Sequence, residues 1–144
     1  MQTSPDTGTT RLPIGSDTDL ARARQQVRQA ASDHGFTLVQ QTKLVTAASE
    51  LARNTLIHGG GGHLEISALE HGLRLTFTDS GPGIRDIEEA MTDGFTTGNG
   101  LGLGLSGAKR LVQDFTIDSR PGRGTTITIT ARATSLPRSR AEQG

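Results

Sequence analysis

Three stretches of the chain carry residue types at spacings that can do chemistry. Glu50 and Asn54 stand four apart in "ELARN", which puts them on one face of a helix. A carboxylate can take a proton, and an amide oxygen can ligate a hard cation such as Mg²⁺. The same pair also reads as the solvated flank of a helix. Asp79 opens "DSGPGI" in the parity of Leu73, Leu75 and Phe77. A carboxylate facing the core side needs a hydrogen-bond donor. An adenine amino group would serve, and Gly81 and Gly83 would leave room for a flat ring; alternatively, Asp79 caps its own turn. The third stretch is "DGFTTGNGLGLGLSGAKRLVQDF", Asp93 to Phe115, with glycines at 98, 100, 102, 104 and 107.

Glycines let backbone N–H groups approach a polyphosphate, and a following helix adds its dipole, so Gly102–Ser106 is a candidate anion site. A flexible surface loop is the plain alternative. A Walker A loop would need Gly-Lys-Ser/Thr after the glycines, and the stretch has none. "GLGLSG", Gly102 to Gly107, matches G-x-G-x-x-G. That fingerprint must follow a strand directly, and "MTDGFTTGN" is a poor strand. The H-R-D loop of protein kinases is absent.

The elements that must position these residues follow from periodicity. A helix is expected within "SDTDLARARQQVRQAASDHG", with Ser16 and Asp17 as cap candidates and Gly35 as its stop. Leu20, Ala23, Val27 and Ala30/Ala31 form its apolar stripe. A second helix is expected from Leu38 to His58, capped by Thr37 and ended by Gly59–Gly62. Its apolar face holds Leu44, Val45, Ala48, Leu51, Ala52, Thr55 and Leu56, and Glu50 and Asn54 lie beside that face. The period then becomes two, in "HLEISALE" and "LRLTFTD", joined at His71-Gly72. A short helix over Asp86–Met91, a helix over Leu105–Asp114, and the strands "FTIDSR" and "GTTITITARA", joined at Pro121-Gly122, complete the chain. Ile127, Ile129 and Ala131 alternate with Thr126, Thr128 and Thr130, so one sheet face is apolar and the other threonine-rich. The expected fold is an α/β two-layer sandwich: a mixed, mostly antiparallel sheet under one layer of helices. The expected domain is 9–133, with disordered tails at 1–8 and 134–144.

Composition limits the function. The 144 residues suffice for one domain with a real core. Lys plus Arg and Asp plus Glu are both 15, for a formal net charge of zero, and Trp and Tyr are absent. General basicity and base stacking on aromatics are therefore both disfavoured as routes to nucleic acid. No cysteine is present, which excludes disulfides, thiolate metal sites and a thiol nucleophile. The four histidines show no metal-site spacing. No apolar run is long enough for a membrane span and no signal peptide is evident, so a cytoplasmic domain is expected.

In order, the chain reads E-x-x-x-N on a helix, D-x-G-x-G after a strand, then G-x-G-x-G before a helix, with "GRGTT" opening the last strand. This resembles the motif set of the GHKL ATPase/kinase superfamily with its Bergerat fold. In particular it looks like the RsbT-type anti-sigma-factor serine/threonine switch kinases, over about residues 10–132. The resemblance implies that Asn54 ligates Mg²⁺ and that Glu50 is the general base. Asp79 would bind adenine, with Thr125 supporting it through water, Gly81 and Gly83 would flank the ring, and Ile84 would also bind the nucleotide. Gly100, Leu101, Gly102, Leu103, Gly104, Leu105 and Ser106 would wrap the phosphates of ATP as a short lid. Arg53 and Lys109 are possible phosphate contacts, or else solvated surface cations. The implied partner is a STAS-domain antagonist protein that the kinase phosphorylates, with a sigma factor or a serine phosphatase as further partners. The alternative is a nucleotide-gated binding module that sequesters a sigma factor or activates a phosphatase without kinase chemistry. A structural or DNA-binding domain is disfavoured by the neutral charge and by the motif set.

Overall fold

The computed structural model describes residues 8–91 and 104–133. Five strands form one sheet: β1 (Thr9–Ile14), β2 (Gly62–Leu69), β3 (Gly72–Asp79), β4 (Asp114–Arg120) and β5 (Gly124–Arg132). Their order across the sheet is β1-β2-β3-β5-β4, and all four pairings are antiparallel. Helices α1 (Asp17–Asp33) and α2 (Leu38–Ile57) pack on each other and on the sheet, and α4 (Gly104–Arg110) packs on α2. The short α3 (Ile87–Ala90) follows β3 and is capped by Asp86, which accepts from the Glu89 N–H at 3.0 Å. This is the expected two-layer sandwich.

The helix ends have local causes. Ser16 Oγ accepts from the Asp19 N–H at 3.2 Å, and Gly35 leaves α1 at φ +84°. At the start of α2, Thr37 and Gln40 form a reciprocal capping box, at 3.1 Å and 2.8 Å. Such a cap contributes about 1 kcal/mol. It fixes where α2 begins, and hence the rotation at which Glu50 and Asn54 emerge.

Register sorts the helix-facing side of the sheet into rows. Thr10, Ile66, Leu75, Ile129 and Phe115 lie side by side across the strands, as do Leu12, Leu64, Phe77, Ile127 and Ile117. Leu44, Ala48, Leu51 and Ala52 of α2, with Val27 and Ala31 of α1, complete this core. Full burial of one such Leu or Ile side chain stabilises the fold by about 1.5–3 kcal/mol. The next row changes character: Ile14, Gly62, Asp79, Thr125 and Ser119. The apolar floor therefore ends in a polar row at one edge. The opposite face carries Thr76, Thr78, Thr126, Thr128 and Thr130, as the alternation predicts.

Three expectations shift. β1 was not foreseen as a strand; it is an edge strand, which tolerates Pro13 because one side of its backbone needs no partner. The β2–β3 loop is Glu70-His71, and Gly72 is already paired with Leu69. The helix expected to reach Asp114 stops at Arg110. Asp114 pairs opposite Thr130, and Gln113 donates its N–H to the Thr130 carbonyl at 3.1 Å. Pairing of β4 with β5 thus overrides the helical pattern of Leu111 and Val112. The expected tails lie outside the described residues except Gly8, whose carbonyl accepts from the Ala68 N–H at 3.2 Å.

Candidate active site

Asp79 is the centre of the polar row. Its inward parity is as expected: it is 8% exposed, beside Thr125 on β5. One carboxylate oxygen accepts from the Gly81 N–H at 2.9 Å, so Asp79 does cap its own turn. That is its one hydrogen bond among the described residues. A carboxylate offers about four acceptor positions, and a buried one with most of them unused is costly unless a donor arrives.

The backbone around Asp79 is packed to contact. A Cβ on Gly59 would come within 2.5 Å of Asp79 Oδ2, and one on Gly81 would lie 2.7 Å from Gly59 Cα. Gly83 has φ +80°, and its missing Cβ would strike the Arg120 carbonyl. Where a Cβ on Gly81 or Gly83 would lie, the protein's own backbone already stands. These glycines let the end of α2, the turn after β3 and the β4–β5 hairpin converge on one carboxylate. The hairpin also holds that turn directly: Gly122 N–H donates to the Pro82 carbonyl at 2.7 Å, and Ile84 N–H to Ser119 Oγ at 2.7 Å.

On α2, Glu50 and Asn54 are both half-buried, flanking the buried Leu51 and Thr55. Glu50 Oε1 accepts from the Gly104 N–H at 3.2 Å. Gly104 has φ +66° and opens α4, where Leu105 is buried against the core and Ser106 is half-buried. The end of the glycine stretch is thereby brought onto the helical pair from 54 residues away. The Asn54 side chain has no hydrogen bond among the described residues, and its amide oxygen is free to ligate a hard cation. Arg53 and Lys109 are exposed, and no side-chain hydrogen bond or ion pair ties either to Glu50, Asn54 or Asp79 among the described residues. Gly100, Leu101, Gly102 and Leu103 lie outside the described residues. No group of three or more His, Cys, Asp or Glu side chains that could hold a metal ion occurs among the described residues. No described helix is long and apolar enough to cross a membrane.

Two residues of this site were missed. Gly59 was read only as a helix stop, although it lies five positions after Asn54. Ser119 shares the inward parity of Phe115 and Ile117 in "FTIDSR", and that parity was the available signal.

Residues 39–135 match the family of histidine kinase-, DNA gyrase B- and HSP90-like ATPases. The serine/threonine-protein kinase RsbT of Bacillus subtilis (strain 168) is 43% identical over 118 residues, covering 79% of this chain and 89% of that protein. An anti-sigma F factor of Bacillus velezensis is 37% identical over 103 residues, covering 65% of this chain and 70% of the relative. Among solved structures, the RsbU and RsbW domains of a Mycobacterium tuberculosis protein superpose with a TM-score of 0.62 at 22% identity. That alignment covers 92% of this chain and 34% of the other, so this chain spans about a third of it. The mycobacterial sensor histidine kinase MprB gives a TM-score of 0.54 at 20% identity, covering 90% of this chain and 100% of that one. At such identities the two structures speak for the fold alone.

Proposed function

The chain belongs to the histidine kinase-, DNA gyrase B- and HSP90-like ATPase family, and from that premise we propose that it is an ATP-dependent protein serine/threonine kinase of a partner-switching pathway. Its substrate in this reading is a serine or threonine hydroxyl on a STAS-domain antagonist protein. The names of two relatives, a serine/threonine-protein kinase and an anti-sigma F factor, support kinase chemistry and a sigma-factor pathway respectively.

The observation that carries the reading is the convergence of Glu50 on Gly104. A residue able to take a proton and the end of a glycine stretch able to cradle phosphate meet at one place. Phosphoryl transfer asks mainly for positioning and charge neutralisation, and the residues present suit those tasks. Asp79 accepts from the adenine amino group with the acceptor capacity its turn leaves unused. The turn from Gly81 to Ile84 borders the ring, and Thr125 stands beside Asp79. Asn54 holds Mg²⁺, which when bound neutralises phosphate charge. Backbone N–H groups from Gly100 through Leu101, Gly102 and Leu103 to Gly104, Leu105 and Ser106 contact the phosphates. Glu50 keeps one carboxylate oxygen on Gly104 and takes the hydroxyl proton on the other. Retention of Glu50 favours the kinase over a module that only binds.

The test uses γ-labelled ATP, Mg²⁺ and a STAS-domain protein. Glu50→Gln should bind nucleotide as the wild type does and lose transfer by about 10²–10⁴. Asn54→Ala should fail earlier, binding Mg-ATP poorly. Transfer by Glu50→Gln at the wild-type rate removes Glu50 as the base. A wild type that binds a partner only with nucleotide present, and never labels it, is a binding module.

A further inference from the structure

Three large apolar side chains stand exposed among the described residues, and all belong to α2: Leu38 at 74%, Val39 at 65% and Ile57 at 55%. A helix turns about 100° per residue. Measured from Glu50, Val39 and Ile57 both lie about 20° to one side, Lys43 about 20° to the other, and Thr46 and Arg53 within about 60°. Leu38 is turned about 120° away. Val39, Lys43, Arg53 and Ile57 are exposed and Thr46 is half-buried, whereas Leu44, Ala48, Leu51 and Ala52 are buried on the core side. A solvent-facing strip of α2 thus runs past Glu50 in both directions. Its charge is one-sided. Lys43 and Arg53 flank Glu50, Lys109 and Arg110 are exposed on α4 packed beside it, and Glu50 is the only acid of the two helices. In a chain of zero net charge this is a local excess of positive charge.

We propose that this strip of α2 is the docking face for the protein substrate, an acidic surface with an apolar residue on each side of its hydroxyl. The hydroxyl comes to Glu50, the apolar residues cover Val39 and Ile57, and the partner's carboxylates face Lys43 and Arg53. The inference rests on the reading of Glu50 as the base. A hydroxyl must reach that carboxylate from a side that neither the core nor the nucleotide fills, and the strip is that side. At about 1.5 Å per residue, Ile57 lies about 10 Å from Glu50 along the axis and Val39 about 16 Å in the other direction. One protein surface of ordinary contact size covers both, and a small molecule does not.

The experiment follows transfer from γ-labelled Mg-ATP to a purified STAS-domain protein as that protein's concentration is varied, beside calorimetric titration of Mg-ATP alone. It compares the full chain as wild type, Val39→Gln/Ile57→Gln, Lys43→Glu and Leu38→Gln. All four positions are exposed, so folding and Mg-ATP affinity should be unchanged. The double variant should raise KM for the protein about tenfold or more with kcat within about twofold, because two aliphatic contacts are lost. Lys43→Glu should raise KM about three- to tenfold and flatten its dependence on salt. Leu38→Gln is the control and should match the wild type. KM unchanged in the double variant or in Lys43→Glu, or raised as much in Leu38→Gln, overturns the docking face and leaves the kinase reading standing. A wild-type dimer that the double variant splits on sedimentation also overturns it, because a second copy then covers the strip. A wild type that binds Mg-ATP and labels no STAS-domain protein overturns the kinase reading and this inference with it.

Discussion

Asp79 shows how much one side chain can decide. The residue is 8% exposed, and among the described residues its carboxylate accepts one hydrogen bond, from the Gly81 N–H. The remaining acceptor positions have no counterpart among the described residues. In Asp79→Asn the amide oxygen can still accept from Gly81 and the fold survives, but the charged acceptor is gone. A hydrogen bond to a buried charge contributes roughly 1.5–3 kcal/mol, so ATP affinity should fall about ten- to a hundredfold, read by calorimetry. If affinity is unchanged, the turn is the whole role of Asp79. Glu50 is half-buried, and its donor, the Gly104 N–H, comes from a distant element and not from its own turn. In the proposed function the two carboxylates serve different purposes, so their variants should separate binding from turnover.

The end of α2 is where elements meet. Gly59 lets the helix terminus come against the Asp79 carboxylate, while its own N–H reaches the Asn54 carbonyl at 3.3 Å. Gly59→Ala introduces a methyl where that carboxylate lies. The nearest atoms belong to a short buried side chain with little room to yield, so a destabilisation of about 1–3 kcal/mol is expected, together with weaker ATP binding. Gly15→Ala is the control: its Cβ would sit 3.6 Å from Asp19 Oδ2, an ordinary contact, and it should leave ATP affinity as it was. Thermal melts and titrations on both variants decide this, and equal behaviour of the two removes Gly59 from the site. The same region shows what the sequence could disclose. Helices α1 and α2 and the strands β2, β3 and β5 were legible because each repeats its period over several turns or pairs and carries its own cap or turn. β1 was not, because six residues with two inward aliphatics and a proline hold too little pattern until β2 is present to pair with them. The end of α4 was not, because its last expected turn is claimed by pairing to β5. Glu50, Asn54 and Asp79 were legible as residue types at a spacing. Gly59 and Ser119 were not, since their importance lies in what touches them from distant parts of the chain.

At the scale of the whole molecule, the site is a seam. Asp79 and Thr125 belong to the sheet, Glu50 and Asn54 to the helix layer, and Gly104 opens the helix that packs on α2. A nucleotide touching all of these links the two layers, so binding should be read as global stability and not only as local order. By mass action, a ligand at a hundred times its dissociation constant stabilises the native state by about 2.7 kcal/mol. For a chain of this size that is a rise in melting temperature of about 6–12 °C. Saturating Mg-ATP should produce it in the wild type and in Glu50→Gln alike, because in the proposed function Glu50 acts on the attacking hydroxyl and not on the nucleotide. Asp79→Asn at the same ATP concentration should recover about half of it or less, and Asn54→Ala should respond to Mg-ATP hardly more than to ATP with chelator. A wild-type melt unmoved by Mg-ATP at millimolar concentration would contradict a nucleotide bridging the layers. A full shift in Asp79→Asn would place the binding energy on the phosphates instead, with the base left outside the polar row.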